Sequence, residues 1–171
     1  MRLFTVTGPP ASGKTTTSRM IAESFHRCAL IEGDVIYDMI VSGQEQPWLS
    51  ESQVNMSFKN ITDITLNFLF NGFDVVLDWI VMPDQVESMV KSINMKDLKV
   101  YYIVLMASPN TLKFRDRTRN GSLLKRIEVL YREFAETAPE QHMIYCDWST
   151  CQWKNNNFKD DCRKFSQVCI N

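Results

Sequence analysis

Eight consecutive residues near the start of the chain have the types and spacing needed to grip phosphate: Gly8-Pro9-Pro10-Ala11-Ser12-Gly13-Lys14-Thr15. They meet the pattern G-x-x-x-x-G-K-S/T at every fixed position. Gly8 and Gly13 let the backbone curl so that successive N–H groups point inward at phosphate oxygens, and they leave room for close approach. A helix starting at Lys14 directs its partial positive end at the same anions. Lys14 would reach the β- and γ-phosphates of a nucleoside triphosphate, and the Thr15 hydroxyl would ligate Mg²⁺. Ser12 and Thr16 offer further hydroxyls to the phosphates, while Pro9, Pro10 and Ala11 supply backbone. The expected nucleotide is ATP, with GTP the alternative. A carboxylate of matching chemistry, Asp78, closes the apolar run Phe73–Leu77. There it would hold Mg²⁺ directly or through water, or else be satisfied by backbone N–H groups at a strand end.

The flanking sequence supplies the scaffold that such a loop needs. Arg2 to Thr7 reads as a buried strand, and a helix is predicted from Lys14 to about Phe25. Cys28 to Ile31 reads as a second strand ending at Glu32-Gly33-Asp34, with a short helix over Val35 to Val41 and a loop holding Gly43, Pro47 and Trp48. Ser50, with Gln53 three positions on, predicts a capping box opening a long helix. Val54, Phe58, Ile61, Thr65 and Phe68 recur along one face of that helix, which stops at Asn71-Gly72. Phe73 to Leu77 is the third strand, and Pro83 starts a helix reaching about Ile93. Leu98 to Met106 is the fourth strand, and Ser108-Pro109 caps a helix running to about Arg119 before Asn120-Gly121. Leu123 to Phe134 carries the next helical face, His142 to Cys146 the fifth strand, and a final helix is predicted over about Asn157 to Val168. Strands alternating with helices imply an α/β fold, a parallel sheet covered on both faces with ligands bound at the carboxyl ends of its strands.

Composition narrows the partners. With 171 residues the chain is one domain long, residues 1–171, and its net charge of −1 gives no electrostatic footprint for nucleic acid. No apolar run approaches the ~20 residues of a membrane span, and the short apolar start of the chain ends in a glycine turn rather than a cleavage site. A soluble, cytoplasmic protein is expected. The five cysteines, Cys28, Cys146, Cys151, Cys162 and Cys169, lack the paired spacings of a zinc site and read as reduced thiols.

The early phosphate loop, the Glu32-Gly33-Asp34 that closes the second strand, the Pro47-Trp48 loop and the arginine-bearing segment before the last strand together resemble the small P-loop kinases. That group includes gluconate kinase, shikimate kinase and chloramphenicol phosphotransferase, with the nucleoside monophosphate kinases as relatives. The resemblance covers most of the chain and implies a three-layer sandwich around a five-stranded parallel sheet in the order 2-3-1-4-5. It further implies that Asp34 contacts the acceptor hydroxyl, either taking its proton or holding it in line with the γ-phosphate; capping the helix that follows is the structural alternative. Glu32 stands where several relatives have aspartate. Residues after the third strand, here Asp78 and Trp79, would line the acceptor pocket. The segment of about 115–125 corresponds to a lid, in which Arg115 and Arg119, four apart on one helix face, would stabilise the transferring phosphate, with Arg115 also touching the nucleotide. Arg117 points elsewhere, and Arg126 lies beyond Gly121, which would supply a hinge. A solvated charged helix around Asp116 is the alternative. Asp147-Trp148-Ser149-Thr150 falls where the group passes the adenine ring.

The insert of about 35–70 would form the acceptor site, with Tyr37, Trp48 and Phe58 as its candidate walls beside Lys59 and Asn60. No arginine occurs between Arg27 and Arg115. That absence argues for a neutral or modestly polar acceptor (a nucleoside, sugar or antibiotic), although Lys59 keeps an anionic one open. The resemblance therefore implies a monomeric or homodimeric enzyme that moves the γ-phosphoryl group of MgATP to a small-molecule hydroxyl. A regulatory nucleotide-binding domain, or a toxin-type or end-kinase acting on a macromolecule, is the alternative.

Overall fold

Parallel strands covered on both faces favour apolar runs; the third and fourth strands supply them, and the first buries Thr5 and Thr7 among its apolar residues. The computed structural model describes residues 1–118, 123–137 and 143–147. In it β1 (Arg2–Thr7), β2 (Cys28–Glu32), β3 (Asp74–Asp78), β4 (Lys99–Met106) and β5 (Met143–Asp147) form one sheet in the order β2-β3-β1-β4-β5, every pairing parallel. The expected strand order is met. The expected final helix, Arg119, Asn120-Gly121 and Trp148 to Thr150 lie outside the described residues.

The helices are α1 (Lys14–Glu23), α2 (Gly33–Tyr37), α3 (Glu51–Phe70), α4 (Pro83–Ile93), α5 (Pro109–Thr118) and α6 (Leu124–Thr137). Strand alternation sorts them into layers. Leu3, Val75 and Leu77 face one side, where Ile61 and Leu69 of α3 and Val86, Met89 and Ile93 of α4 cover them. Val104 and Met106 continue that side under Leu130 and Phe134 of α6. Phe4, Val6, Val76, Ile103 and Leu105 face the other side, under Ile21 of α1. Fully buried side chains such as Ile61, Leu69 and Phe134 each contribute about 1.5–3 kcal/mol by leaving water.

Two local expectations change. Ser50 does stand at the N-cap of α3, but its side chain makes no capping bond. Gln53, the expected other half of the box, instead donates to the Gly43 carbonyl at 2.8 Å and accepts from the Glu45 amide at 3.0 Å. A tertiary clamp on the preceding loop outcompetes the local motif. The buried face of α3 is Ser57, Ile61, Thr65 and Leu69, so the face turns slightly from the expected one and leaves Phe68 37% exposed. Elsewhere the signals hold: the Thr111 amide bonds Ser108 Oγ at 3.2 Å before α5, and Pro83 opens α4, where the Gln85 side chain accepts the Met82 amide at 2.9 Å.

Among the described residues no helix is long and apolar enough to cross a membrane. Cys28 is a free, half-buried thiol whose pKa is raised to about 11, chiefly by burial and then by the Asp74 charge, which suits an unreactive packing residue.

Candidate active site

The loop between β1 and α1 adopts the shape its glycines predict. Gly8 has φ 138°, Gly13 φ 100° and, unexpectedly, Ala11 φ 63°, so an alanine joins the glycines in the left-handed region. A Cβ on Gly8 would fall 2.2 Å from the Leu105 carbonyl oxygen, so only glycine lets the loop sit against the end of β4. Ser12 closes a turn by donating its amide to the Pro9 carbonyl at 3.3 Å. Pro10 is half-buried, while Thr15 and Thr16 at the start of α1 are exposed, and the first amides of α1 have no intrahelical acceptor by helix geometry. The Ser12 hydroxyl is fully buried without a hydrogen-bond partner among the described residues. Lys14 curls over the loop, its Nζ donating to the Gly8 carbonyl at 3.0 Å and the Pro9 carbonyl at 3.1 Å.

At the neighbouring strand end, Asp78 is 7% exposed and accepts a hydrogen bond from the Thr15 side chain. Burial pushes its carboxyl above the usual carboxylate range; the Thr15 bond and the Lys14 charge oppose that rise, and Asp34 and Glu32 add to it. These groups are thus in electrostatic contact around one point. Glu32 is the in-register partner of Asp78, but it also forms an ion pair with Arg19 at 3.1 Å. Among the described residues no three His, Cys, Asp or Glu side chains converge as a metal site. Mg²⁺ asks for less: one or two protein oxygens besides phosphates and waters. Thr15 and Asp78 would provide those, and the orphaned Ser12 hydroxyl would meet a phosphate oxygen. The residues fit MgATP.

Asp34 stands across from this pair. It lies in the first turn of α2 but makes no capping bond, because the N-cap is Glu32. Instead its Oδ1 accepts the Trp79 indole N–H at 3.1 Å. Trp79 is 5% exposed, stacks on Phe58 with ring centroids 6.4 Å apart, and packs so closely on Gly33 that a Cβ there would meet it. The strand that ends in Asp78 therefore also supplies, one residue later, the side chain that fixes Asp34. Its exit is pinned to β1 and β4: the Val81 amide donates to Thr7 Oγ1 at 3.0 Å, and the Tyr102 hydroxyl donates to the Val81 carbonyl at 2.8 Å.

The remaining candidates divide. Tyr37 is 3% exposed, and its hydroxyl donates to the Glu45 carbonyl at 2.9 Å, with Gln53 Oε1 at 3.2 Å. It fastens the insert loop. Trp48, 46% exposed, lies far along that loop and carries the Arg126 guanidinium 5.9 Å from its ring centroid. Arg115 is half-buried and Arg117 exposed on α5; Arg119 is outside the described residues. Asp116 is buried rather than solvated, accepting the Leu123 amide at 3.2 Å and so tying the end of α5 to the start of α6. Sequence reasoning gave Gln53 a helix-capping role and grouped Arg126 with the lid arginines, and it missed the packing of Gly33 on Trp79, the Gln53 clamp on Gly43 and Glu45, and the stacking of Arg126 on Trp48. Only a contact across the fold reveals each of them.

A phosphate loop joined through Thr15 to a buried strand-end aspartate, on a parallel sheet of this order, defines the class: a P-loop protein that binds ATP. The family model described as an AAA domain matches residues 3–156, and the chain belongs to that family. Its kinship is with the small P-loop kinases, whose chemistry is phosphoryl transfer. A sugar kinase from Janibacter sp. HTCC2649 is similar in structure with a TM-score of 0.67, at 15% identity, over 97% of this chain and 95% of that one. The tunicamycin resistance protein of Deinococcus radiodurans gives a TM-score of 0.64 at 14% identity, over 99% of this chain and 96% of that one. A gluconokinase from Sinorhizobium meliloti 1021 gives 0.61 at 18% identity, over 84% and 81%. At such identities these likenesses speak for the fold. No curated protein sequence matches the chain.

Proposed function

We propose that the protein transfers the γ-phosphoryl group of ATP to a hydroxyl of a small molecule. The observation that carries this reading is the Asp34 carboxylate, held by Trp79 at 3.1 Å and exposed beside the Asp78–Thr15–Lys14 cluster. A nucleotide-binding domain without an acceptor has no use for a carboxylate fixed there.

Asp34 receives the acceptor hydroxyl and takes its proton as the oxygen bonds to the γ-phosphorus. The bond from that phosphorus to the bridging oxygen breaks, and its electron pair leaves on ADP. Lys14 and the loop amides hold the β- and γ-phosphates. Arg115, with Arg119 beyond it, offsets charge on the group in flight. Magnesium, when bound, would neutralise phosphate oxygens, and Thr15 and Asp78 would be its protein ligands. Phe58 and Trp79 form the inner wall of the acceptor site, and Tyr37 sets the loop behind it.

Asp34→Asn tests the assignment. Turnover with an acceptor should fall about a hundredfold or more, the size of a lost general base, while MgATP affinity stays within a factor of three. Equal losses in both would remove Asp34 from the chemistry.

A further inference from the structure

The insert has no arginine of its own, yet a guanidinium reaches it from across the molecule. Arg126 on α6 places its charge 5.9 Å from the centre of the Trp48 ring. Between the insert loop and α6 opens a cleft of about 540 Å³, lined by Gln46, Trp48, Leu123, Lys125, Arg126 and Val129. That volume suits a small organic ligand, since such sites run to about 300–1,000 Å³.

Among the described residues the lining has two cations and no acid. Among the described residues, neither Lys125 nor Arg126 is paired with a carboxylate, and Glu128, the nearest acid on α6, is engaged by Lys113. Both walls are braced. Gln53 and Tyr37 hold the loop at Gly43 and Glu45, and Asp116 fixes Leu123 where α6 begins. A half-exposed indole beside two cations that no carboxylate neutralises suits a planar or apolar body with an anionic group attached.

The loop that walls the cleft is tied to the helix that bears Asp34. Tyr37, three residues after Asp34 on α2, donates its hydroxyl to the carbonyl of Glu45, the neighbour of the cleft residue Gln46.

We infer that this cleft is the distal recognition subsite of the acceptor, and that it selects acceptors bearing a carboxylate or phosphate on a planar body. This inference rests on the phosphotransfer reading above, and it reverses the neutral acceptor that the arginine-free insert suggested.

The test uses matched acceptors on the full chain: 4-(hydroxymethyl)benzoate against benzyl alcohol, gluconate against glucose, and nucleoside monophosphates against nucleosides. MgATP-dependent ADP release is measured for wild type, Arg126→Ala, Lys125→Ala and Arg126→Lys. In at least one pair the anionic member should show a KM about tenfold or more below its partner, the carboxylate and phosphate arms showing which anion is preferred. Arg126→Ala should raise that KM about tenfold to a hundredfold, as expected for a lost charge-assisted bond, leave kcat within threefold and abolish the preference; Arg126→Lys should restore part of it. Unchanged MgATP affinity shows that the variants are folded. Turnover indifferent to the anion, or a preference that survives Arg126→Ala and Lys125→Ala, overturns the inference and leaves the phosphotransfer reading standing. No turnover with any pair, while MgATP still binds, overturns both.

Discussion

Gly33→Ala separates the positioning of Asp34 from the grip on the nucleotide. A Cβ at residue 33 would fall 2.2 Å from Trp79 Cγ and 2.6 Å from both Trp79 Cβ and Cδ2. Carbon atoms in contact prefer about 3.5–4.0 Å, so the indole or the start of α2 must give by more than about 1 Å. Trp79 has little space to yield, being 5% exposed and stacked on Phe58. Overpacking of this kind costs about 1–3 kcal/mol of stability. The 3.1 Å bond from Trp79 Nε1 to Asp34 cannot survive a shift of that size, and a misplacement of about 1 Å at a reacting group costs on the order of a hundredfold in rate. The phosphate loop lies on another element and stays intact. Acceptor-stimulated ADP release and MgATP binding by titration calorimetry should therefore part company. Turnover falls about a hundredfold, whereas nucleotide affinity changes less than threefold. Wild-type turnover in Gly33→Ala, or a nucleotide affinity that falls in step with turnover, would refute the reasoning.

Lys14→Ala should weaken MgATP binding about tenfold or more, the scale of hydrogen bonds to a charged group, and should abolish turnover; equilibrium dialysis at fixed magnesium reads the first effect. Asp78→Asn should raise the melting temperature of the nucleotide-free chain at pH 7 while weakening the magnesium dependence of nucleotide binding. The sign follows from burial: a carboxyl whose folded pKa lies above its unfolded value favours folding below that unfolded value and loses the contribution as pH rises through the folded one. At pH 7 the ionised group therefore opposes folding, and the gain from Asp78→Asn should shrink as the pH approaches the ordinary carboxylate range; a gain that grows on acidification would contradict it. Gln53→Ala removes the clamp on Gly43 and Glu45, so amide exchange over residues 43–46 should quicken by about fivefold with the sheet unchanged, as for a local bond worth about 1 kcal/mol.

What the sequence made legible was local. The phosphate loop, the apolar runs of β1 and β3 and the Ser108-Pro109 start of α5 each carry their signal within a few residues, because backbone geometry and burial act at that range. The Ser50–Gln53 spacing carried an equally local signal. It was outcompeted because Gln53 finds better partners on a loop that only the fold brings near. Asp34 was recognisable by its place after β2, but its indole anchor is 45 residues away in sequence. Arg126 lies farther still from Trp48. Composition of the insert could not show the guanidinium that α6 brings beside Trp48. Tyr37, an aromatic three residues after the proposed catalytic carboxylate, proved to face the core because α2 is barely more than a turn long and buries its last residue.

The central claim is that this site moves phosphate to a hydroxyl, and the direct measurement is MgATP-dependent ADP release across the acceptor panel, in wild type beside Lys14→Ala. One acceptor class should stimulate release well above the rate with water alone, the phosphorylated acceptor should appear in equal amount, and Lys14→Ala should abolish both. A flat response across the panel by a chain that still binds MgATP would contradict it.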